Sequence, residues 1–315
     1  MMPMRPLGHS GLKVYPLAFG TLTISPMQKG FSPERGAELM LYAAGKGINL
    51  FDTAQLYDTY EPLRLALKKR PDLLVSTKSY AWDRQTAQEA FDDARRRLDM
   101  DVIPIFLMHE QEDRLTLKGH REAFDFYLEQ KAKGKILAVG FSTHRVAAVD
   151  YAPRYPGVDI IHPLINRTGV GIADGTREDM EAAIERAHAA GIGIFAMKPL
   201  GGGHLLKNPA EAFDYLRGLE CIDAVCCGMQ SEDEIDVNLR LMEGLSPDPE
   251  AARRTQREPR RLLIHDWCRG CGKCVARCRQ GALRLMDGRC VCDQSKCVRC
   301  GYCAPVCEEF CIKVI

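Results

Sequence analysis

Over the first 245 residues, short and nearly continuous apolar runs alternate with longer amphipathic stretches. The runs are Pro16–Thr21, Ile48–Asp52, Leu73–Lys78, Ile103–His109, Ile136–Ser142, Val158–His162, Ile192–Lys198 and Ile222–Cys227. They are β-branched or Leu-rich and barely interrupted by polar residues, the pattern of parallel strands buried on both faces. Apolar positions recur every three to four residues in Pro33–Lys46, Thr86–Leu98, Leu117–Lys131, Thr176–Ala190 and Glu232–Met242, which predicts helices. Gly47, Gly134 and Gly191 each fall just before a strand and mark helix stops. Eight strands, each followed by a helix, in about 240 residues predict an α/β fold, a (β/α)8 TIM barrel. The competing open, doubly wound sheet seldom needs eight parallel strands, and its G-x-G-x-x-G first turn is missing here.

The chain has 315 residues, 46% hydrophobic and 27% charged, which is globular and leaves room for a second, smaller domain. No apolar run approaches the ~18 residues of a membrane span. The opening Met-Met-Pro-Met-Arg-Pro-Leu-Gly lacks a secretory apolar stretch, so a soluble cytoplasmic protein is expected. The net charge of +1 hides an asymmetry: residues 250–315 hold 14 Lys/Arg and 7 Asp/Glu, and the remainder carries −6. That acidic remainder argues against a nucleic-acid partner.

Eleven of the 14 cysteines lie after residue 267. Cys268, Cys271, Cys274 and Cys278 read C-x2-C-x2-C-x3-C, and Cys297, Cys300, Cys303 and Cys307 repeat the string. Zinc takes separated C-x2-C pairs and has no use for a third cysteine at the same gap. The spacing therefore predicts two [4Fe–4S] clusters. Residues 262–315 resemble a bacterial-type two-cluster ferredoxin domain, with Arg279 and Glu308 where proline usually follows the fourth cysteine. The resemblance implies a crossed ligand set. Cys268, Cys271, Cys274 and Cys307 hold one cluster; Cys278, Cys297, Cys300 and Cys303 hold the other. Cys290, Cys292 and Cys311 fall outside the pattern and read as small buried hydrophobes or reduced thiols. So small a domain has to draw much of its folding free energy from its clusters. The predicted organisation is a barrel over 1–248, a basic linker over 249–261 and an iron–sulfur domain over 262–315.

Functional residues of such barrels gather at the C-terminal ends of strands. There the second run ends at Asp52, the third at Lys78 and the fourth at His109, with Tyr57 five residues beyond Asp52. Reducing a carbonyl at neutral pH needs a proton for the nascent alkoxide. A tyrosine supplies it more readily when an ammonium lowers its pKa from ~10. A buried Lys needs a carboxylate, and a neutral His donates to the substrate oxygen.

Phe51-Asp52-Thr53-Ala54-x-x-Tyr57, Ser76-Thr77-Lys78 and Leu107-Met108-His109 resemble motifs of the aldo-keto reductase family, a likeness extending over residues 4–245. Leu7 to Val14 resembles that family's N-terminal hairpin, which closes the barrel bottom, and Gly134-Lys135-Ile136 through Ser142 resembles its fifth-strand motif. The resemblance implies Tyr57 as general acid, tuned by Lys78 and Asp52, with His109 orienting the carbonyl. It implies nicotinamide contacts at Gly20, Thr21, Asp52, Ser142, Thr143 and His162, with Met197 where an aromatic ring usually stacks. Pro199, Leu200 and Gly201 stand near the pyrophosphate, and Gly228, Gln230 and Asn238 around the adenosine. Gly228 and Glu234 replace the cations that pair a 2′-phosphate in the family's NADPH members. Between NAD(H) and NADP(H), NADH is therefore expected to be preferred.

The expected function is a nicotinamide-dependent oxidoreductase acting on an aldehyde, ketone or sugar, coupled to or capped by the cluster domain. The alternative is an iron–sulfur electron-transfer protein whose barrel is a platform for a redox partner. The basic segment Arg253 to Arg261 is most simply a solvated connection; a sharper reading has it dock an acidic redox protein, a ferredoxin or flavodoxin.

Overall fold

The computed structural model describes residues 2–315. A hairpin of β1 (Arg5–Pro6) and β2 (Lys13–Val14) precedes eight parallel strands that close into a ring. These are β3 (Leu17–Gly20), β4 (Leu50–Asp52), β5 (Leu74–Ser79), β6 (Ile103–Met108), β7 (Ile136–Thr143), β8 (Ile160–Pro163), β9 (Gly193–Met197) and β10 (Ala224–Gly228). β10 returns to β3, with Cys227 beside Phe19 and Gly228 beside Gly20. All eight predicted strands are present. Every residue of β6 is buried, which is why its run is continuously apolar. Ile105 and Leu107 fill the barrel interior, whereas Phe106 and Met108 pack outward against the helices.

The helical layer comprises α1 (Pro33–Gly45), α2 (Tyr60–Lys69), α3 (Arg84–Leu98), α4 (Arg114–Gly119), α5 (Arg121–Ala132), α6 (Val146–Tyr151), α7 (Arg177–Ala189), α8 (Pro209–Arg217) and α9 (Glu232–Met242). The single helix expected over Leu117–Lys131 is broken in two. Gly119 weakens the helix, and the His120 ring, 3.0 Å from the Gln111 amide oxygen, pins the corner. The β1–β2 hairpin closes the N-terminal end of the barrel. There Gly8 N donates to Asp223 (3.1 Å) and His9 N to the Gly191 carbonyl (2.9 Å).

Residues 249–261, expected as a basic linker, are largely helical. α10 (Pro249–Arg257) starts from an Asp248 cap that accepts from Ala251 N at 2.8 Å, and it packs along α9. Arg254 reaches Asp233 through two bonds (2.6 and 2.7 Å), and Arg253 pairs with Glu250. Asp248-Pro249 is an N-cap followed by an N1 proline, a helix start that the run of arginines obscured.

In the tail, β11 (Leu262–Ile264) pairs antiparallel with β14 (Ile312–Val314). Between them lie α11 (Lys273–Arg277) and the hairpin β12 (Leu283–Met286) and β13 (Arg289–Cys292). Its core is Leu262, Leu283 and Ile312 among cysteines, with little else apolar. The tail sits on the C-terminal face of the barrel. His204 Nε2 donates to the Ile312 carbonyl (2.9 Å), and Gly203 (φ +90°) lies so close to β14 that a Cβ would strike the Val314 carbonyl. Among the described residues no helix is long and apolar enough to cross a membrane.

Candidate active site

Four polar side chains meet at the C-terminal mouth of the barrel. Asp52 ends β4 and Lys78 lies near the end of β5, while Tyr57 ends a short 3-10 turn (Gln55–Tyr57) and His109 follows β6. Lys78 Nζ donates to both Asp52 oxygens at 2.7 Å and to the Thr53 carbonyl at 2.7 Å, and Ser76 Oγ adds a bond to Asp52 at 3.0 Å. The Lys78 and Asp52 side chains are 1% and 5% exposed, so this is a buried, fully bonded ion pair. The ammonium lies 5.2 Å from the centroid of the Tyr57 ring, which meets His109 edge-on at 5.7 Å between centroids. The other face of His109 stacks on Tyr80 at 4.4 Å. His109 Nδ1 is buried with no protein partner, an unmet hydrogen-bonding position of the kind that ligands satisfy.

Electrostatics divide the four. Burial alone would raise the Asp52 pKa, but the Lys78 and His162 charges outweigh it and hold the carboxyl well below its usual range. Burial lowers His109 to about 3, so it is neutral at physiological pH as expected. Tyr57 departs from expectation. Burial and then the Asp52 carboxylate push its phenol well above 10 rather than below. The Lys78 charge is engaged by two carboxylate oxygens and a carbonyl, and little of its field remains for the phenol.

Asp52 and Tyr57 open onto a cavity of about 790 Å³, large enough for a substantial organic ligand. Of the predicted cofactor contacts, Gly20, Asp52, His162, Pro199, Leu200, Gly228, Gln230 and Asn238 line it. The other four do not. Thr21 bonds Thr59 (2.7 Å); Ser142 Oγ accepts from Glu110 N (2.9 Å); Thr143 Oγ1 accepts from Arg145 N (2.9 Å). Their hydroxyls are committed to other protein groups, two of them distant in the chain. Gly201 is replaced along the wall by Gly202 and Gly203, whose positive φ values leave backbone open to the cavity. Asn238 donates to Cys227 Sγ at 3.5 Å. Backbone approach on one wall and polar side chains on the other fit a dinucleotide.

Glu234 is not the free carboxylate expected opposite a 2′-phosphate. It is ion-paired to Arg260, which comes from beyond the barrel and also donates to Gln230 Oε1 (3.3 Å). The second Glu234 oxygen accepts from Gln230 N at 2.8 Å. Sequence spacing could not place Arg260, 26 residues away, in this groove.

Other features of the cavity were not anticipated. His162 Nδ1 donates to the Phe195 carbonyl, and its Nε2 faces Asp52 at 3.7 Å. With Cys226 they form a buried triad whose ligand atoms lie within 4.8 Å of one another. Lys198 closes an apolar strand run as Lys78 does, a signal available beforehand; Lys313, in a short terminal strand, gave none.

The tail gathers several of its cysteines closely. Cys278, Cys297, Cys300 and Cys303 line one small cavity. Cys307 leaves its own string for the other group: Cys307 and Cys268 both act electrostatically on Cys274. Cys290 and Cys311 stand beside that group, with Cys274–Cys290 and Cys307–Cys311 sulfurs 3.4 Å apart.

Comparison with known proteins agrees with the barrel. The chain is 27% identical over 235 residues to a 6-dehydroglucose reductase of Novosphingobium aromaticivorans, covering 67% of this chain and 72% of that one. It is 24% identical to an L-galactose dehydrogenase of Arabidopsis thaliana, over 65% and 67% of the two chains. Among solved structures, a putative aldo-keto reductase from Pseudomonas aeruginosa superposes with a TM-score of 0.66 at 23% identity, covering 76% of this chain and 94% of that one. An aldo-keto reductase of Bacillus halodurans in its holo form gives 0.65 at 20%, over 82% and 96%. These two likenesses speak to the fold. The sequence model described as the Aldo/keto reductase family matches residues 16–220. With strand order and closed ring in agreement, the chain belongs to the aldo/keto reductase family of NAD(P)-dependent oxidoreductases.

Proposed function

We propose that this chain interconverts a small carbonyl compound and its alcohol at the Tyr57 end of the cleft, and that its tail carries two [4Fe–4S] clusters. The observation that carries the first part is the convergence of Tyr57, His109 and the Lys78–Asp52 pair at the barrel mouth, where Asp52 and Tyr57 line the cavity. When bound, the nicotinamide supplies or takes the hydride. Tyr57 gives its phenolic proton to the carbonyl oxygen; held well above 10 it keeps that proton at neutral pH, and as a weak acid it releases it only as the more basic alkoxide forms. His109, neutral, offers a hydrogen bond that orients that oxygen. Asp52 and Lys78 fix each other and keep the floor of the site charged but balanced. A sugar or another hydroxylated carbonyl is the substrate class, supported by the activities named for the two curated relatives. NADH remains the preferred cofactor in this reading, because Glu234 engages Arg260, the cation beside it in the groove.

Cys268, Cys271, Cys274 and Cys307 would hold one cluster and Cys278, Cys297, Cys300 and Cys303 the other; the grouping of Cys278 with the later string supports the crossing. An acidic redox protein is proposed to dock through Arg257 and Arg261, which are exposed and, among the described residues, have no carboxylate within 4.0 Å. The test is an anaerobic assay of each nicotinamide with a panel of aldoses and simple aldehydes, for wild type and Tyr57→Phe. Loss of the phenol should cut kcat by roughly 10²–10⁴-fold with NADH binding intact. A Tyr57→Phe enzyme of normal kcat would overturn the assignment.

A further inference from the structure

Two ammonium groups on the rim of the cleft lack carboxylate partners. Lys198 follows β9 and Lys313 lies on β14, so they come from separate parts of the chain, yet both line the cavity that exposes Asp52 and Tyr57. Lys198 Nζ is 2.7 Å from His144 Nε2 and 4.8 Å from the centroid of the Phe310 ring. Lys313 Nζ lies 3.0 Å from the same centroid and donates to the Phe310 carbonyl at 2.5 Å. Phe310 thus gathers both charges at one point of the wall.

Among the described residues neither lysine has a carboxylate within 4.0 Å. Glu110 is the acid that acts on both, but one of its oxygens is taken by the Tyr80 hydroxyl (2.5 Å) and the other stands 3.7 Å from His144. His144 adds no compensating charge; burial keeps it neutral. Cys307 and Cys311 also act on Lys313, while Lys198 has only the distant Cys226 besides Glu110. Lys313 is 5% exposed, and buried charges ordinarily have partners. Burial lowers Lys198 to about 8, and burial with the Lys198 charge pushes Lys313 well below its usual value. Lys198 also adopts φ +62°, a left-handed conformation that costs free energy in a non-glycine residue and clusters at ligand sites.

We propose that Lys198 and Lys313 form an oxyanion subsite on the rim of the cleft, taking one phosphate or carboxylate group. The group belongs either to an acidic carbonyl substrate or to the diphosphate of the dinucleotide. A ligand oxyanion between the two ammoniums would restore the missing charge partner and keep both protonated. This deepens the reductase reading but is testable without turnover.

The first measurement is calorimetric titration of the anaerobically purified full chain with inorganic phosphate and pyrophosphate. Lys198→Gln and Lys313→Gln should each weaken binding by about 10-fold or more, and Lys198→Arg should retain it. If the oxyanion is the substrate's, kcat/KM for glyceraldehyde 3-phosphate relative to glyceraldehyde falls about 10-fold in the Gln variants with NADH affinity held. If it is the dinucleotide's, the NADH Kd rises about 10-fold and that ratio holds. Unchanged phosphate binding in a folded Lys198→Gln protein overturns the proposal, as does a wild type that binds neither anion. Should Lys313→Gln not fold, Lys198→Gln, on the barrel rim, decides alone. A protein that binds phosphate but turns over no carbonyl would sink the reductase reading and leave the subsite standing.

Discussion

Replacing Lys78 by Met removes three 2.7 Å bonds and leaves the Asp52 carboxylate buried with Ser76 Oγ as its remaining close donor. Two routes give the size of the effect. Breaking one side of a buried ion pair costs about 3–5 kcal/mol. Alternatively, Asp52 escapes by protonating, which at pH 7 costs about 4 kcal/mol, roughly three pH units above a carboxyl pKa of ~4 at 1.36 kcal/mol each. The routes agree. They correspond to a fall in melting temperature of roughly 6–20 °C, read from anaerobic thermal melts at one scan rate. The sign of the pH dependence follows from the charges. In the wild type the Asp52 pKa is depressed, so its contribution is complete above about pH 4 and is lost as pH falls through the lowered folded value. In Lys78→Met the Asp52 pKa is raised, so the variant recovers relative to wild type as pH drops from 7 toward 4. Asp52→Asn/Lys78→Met, with no buried charge, should regain about 2 kcal/mol or more over Lys78→Met. A single variant within about 1 kcal/mol of wild type at pH 7, or a double variant no more stable than the single, would refute the account of the pair.

The remaining predictions concern protons, metal and cofactor choice. With His109 neutral down to about pH 3 and Tyr57 protonated past 10, kcat for an uncharged carbonyl at saturating NADH should be flat between pH 6 and 9, as stopped-flow or steady-state profiles will show. A bell with a limb near pH 6.5 would place His109 outside the buried site. On the proposed crossed ligand set, Cys278→Ala should lower iron from about eight to about four atoms per chain, and combining it with Cys297→Ala should cost no further iron, since both thiols would serve one cluster. Additive loss would refute the crossing. Glu234→Gln releases Arg260 within the groove and should tighten NADPH binding by about 10-fold with NADH changed less, as fluorescence titration will show.

Much of the fold was legible because a barrel writes itself into periodicity. Strands covered on both faces must be apolar at every position, so β6 and β9 announce themselves as unbroken runs. Asp52, Lys78 and His109 were legible for the complementary reason, that a polar group at the end of such a run has no packing rationale; Tyr57 was legible only through the motif it shares with Asp52. Lys198 obeyed the same rule and was passed over. The helix break at Gly119–His120 was hidden because apolar spacing continues across it.

The sequence by itself determined the strand count, the identity of the polar groups at the barrel mouth and the two four-cysteine strings, since each depends on local spacing. Only the tertiary structure decided that Arg260 neutralises Glu234, that Lys78 gives its charge to Asp52 rather than to Tyr57, and that Lys313 enters the cleft. Those outcomes depend on which distant segments dock together. Electrostatic energy varies with separation in space, and contacts 26 or more residues apart along the chain leave no periodic trace in it.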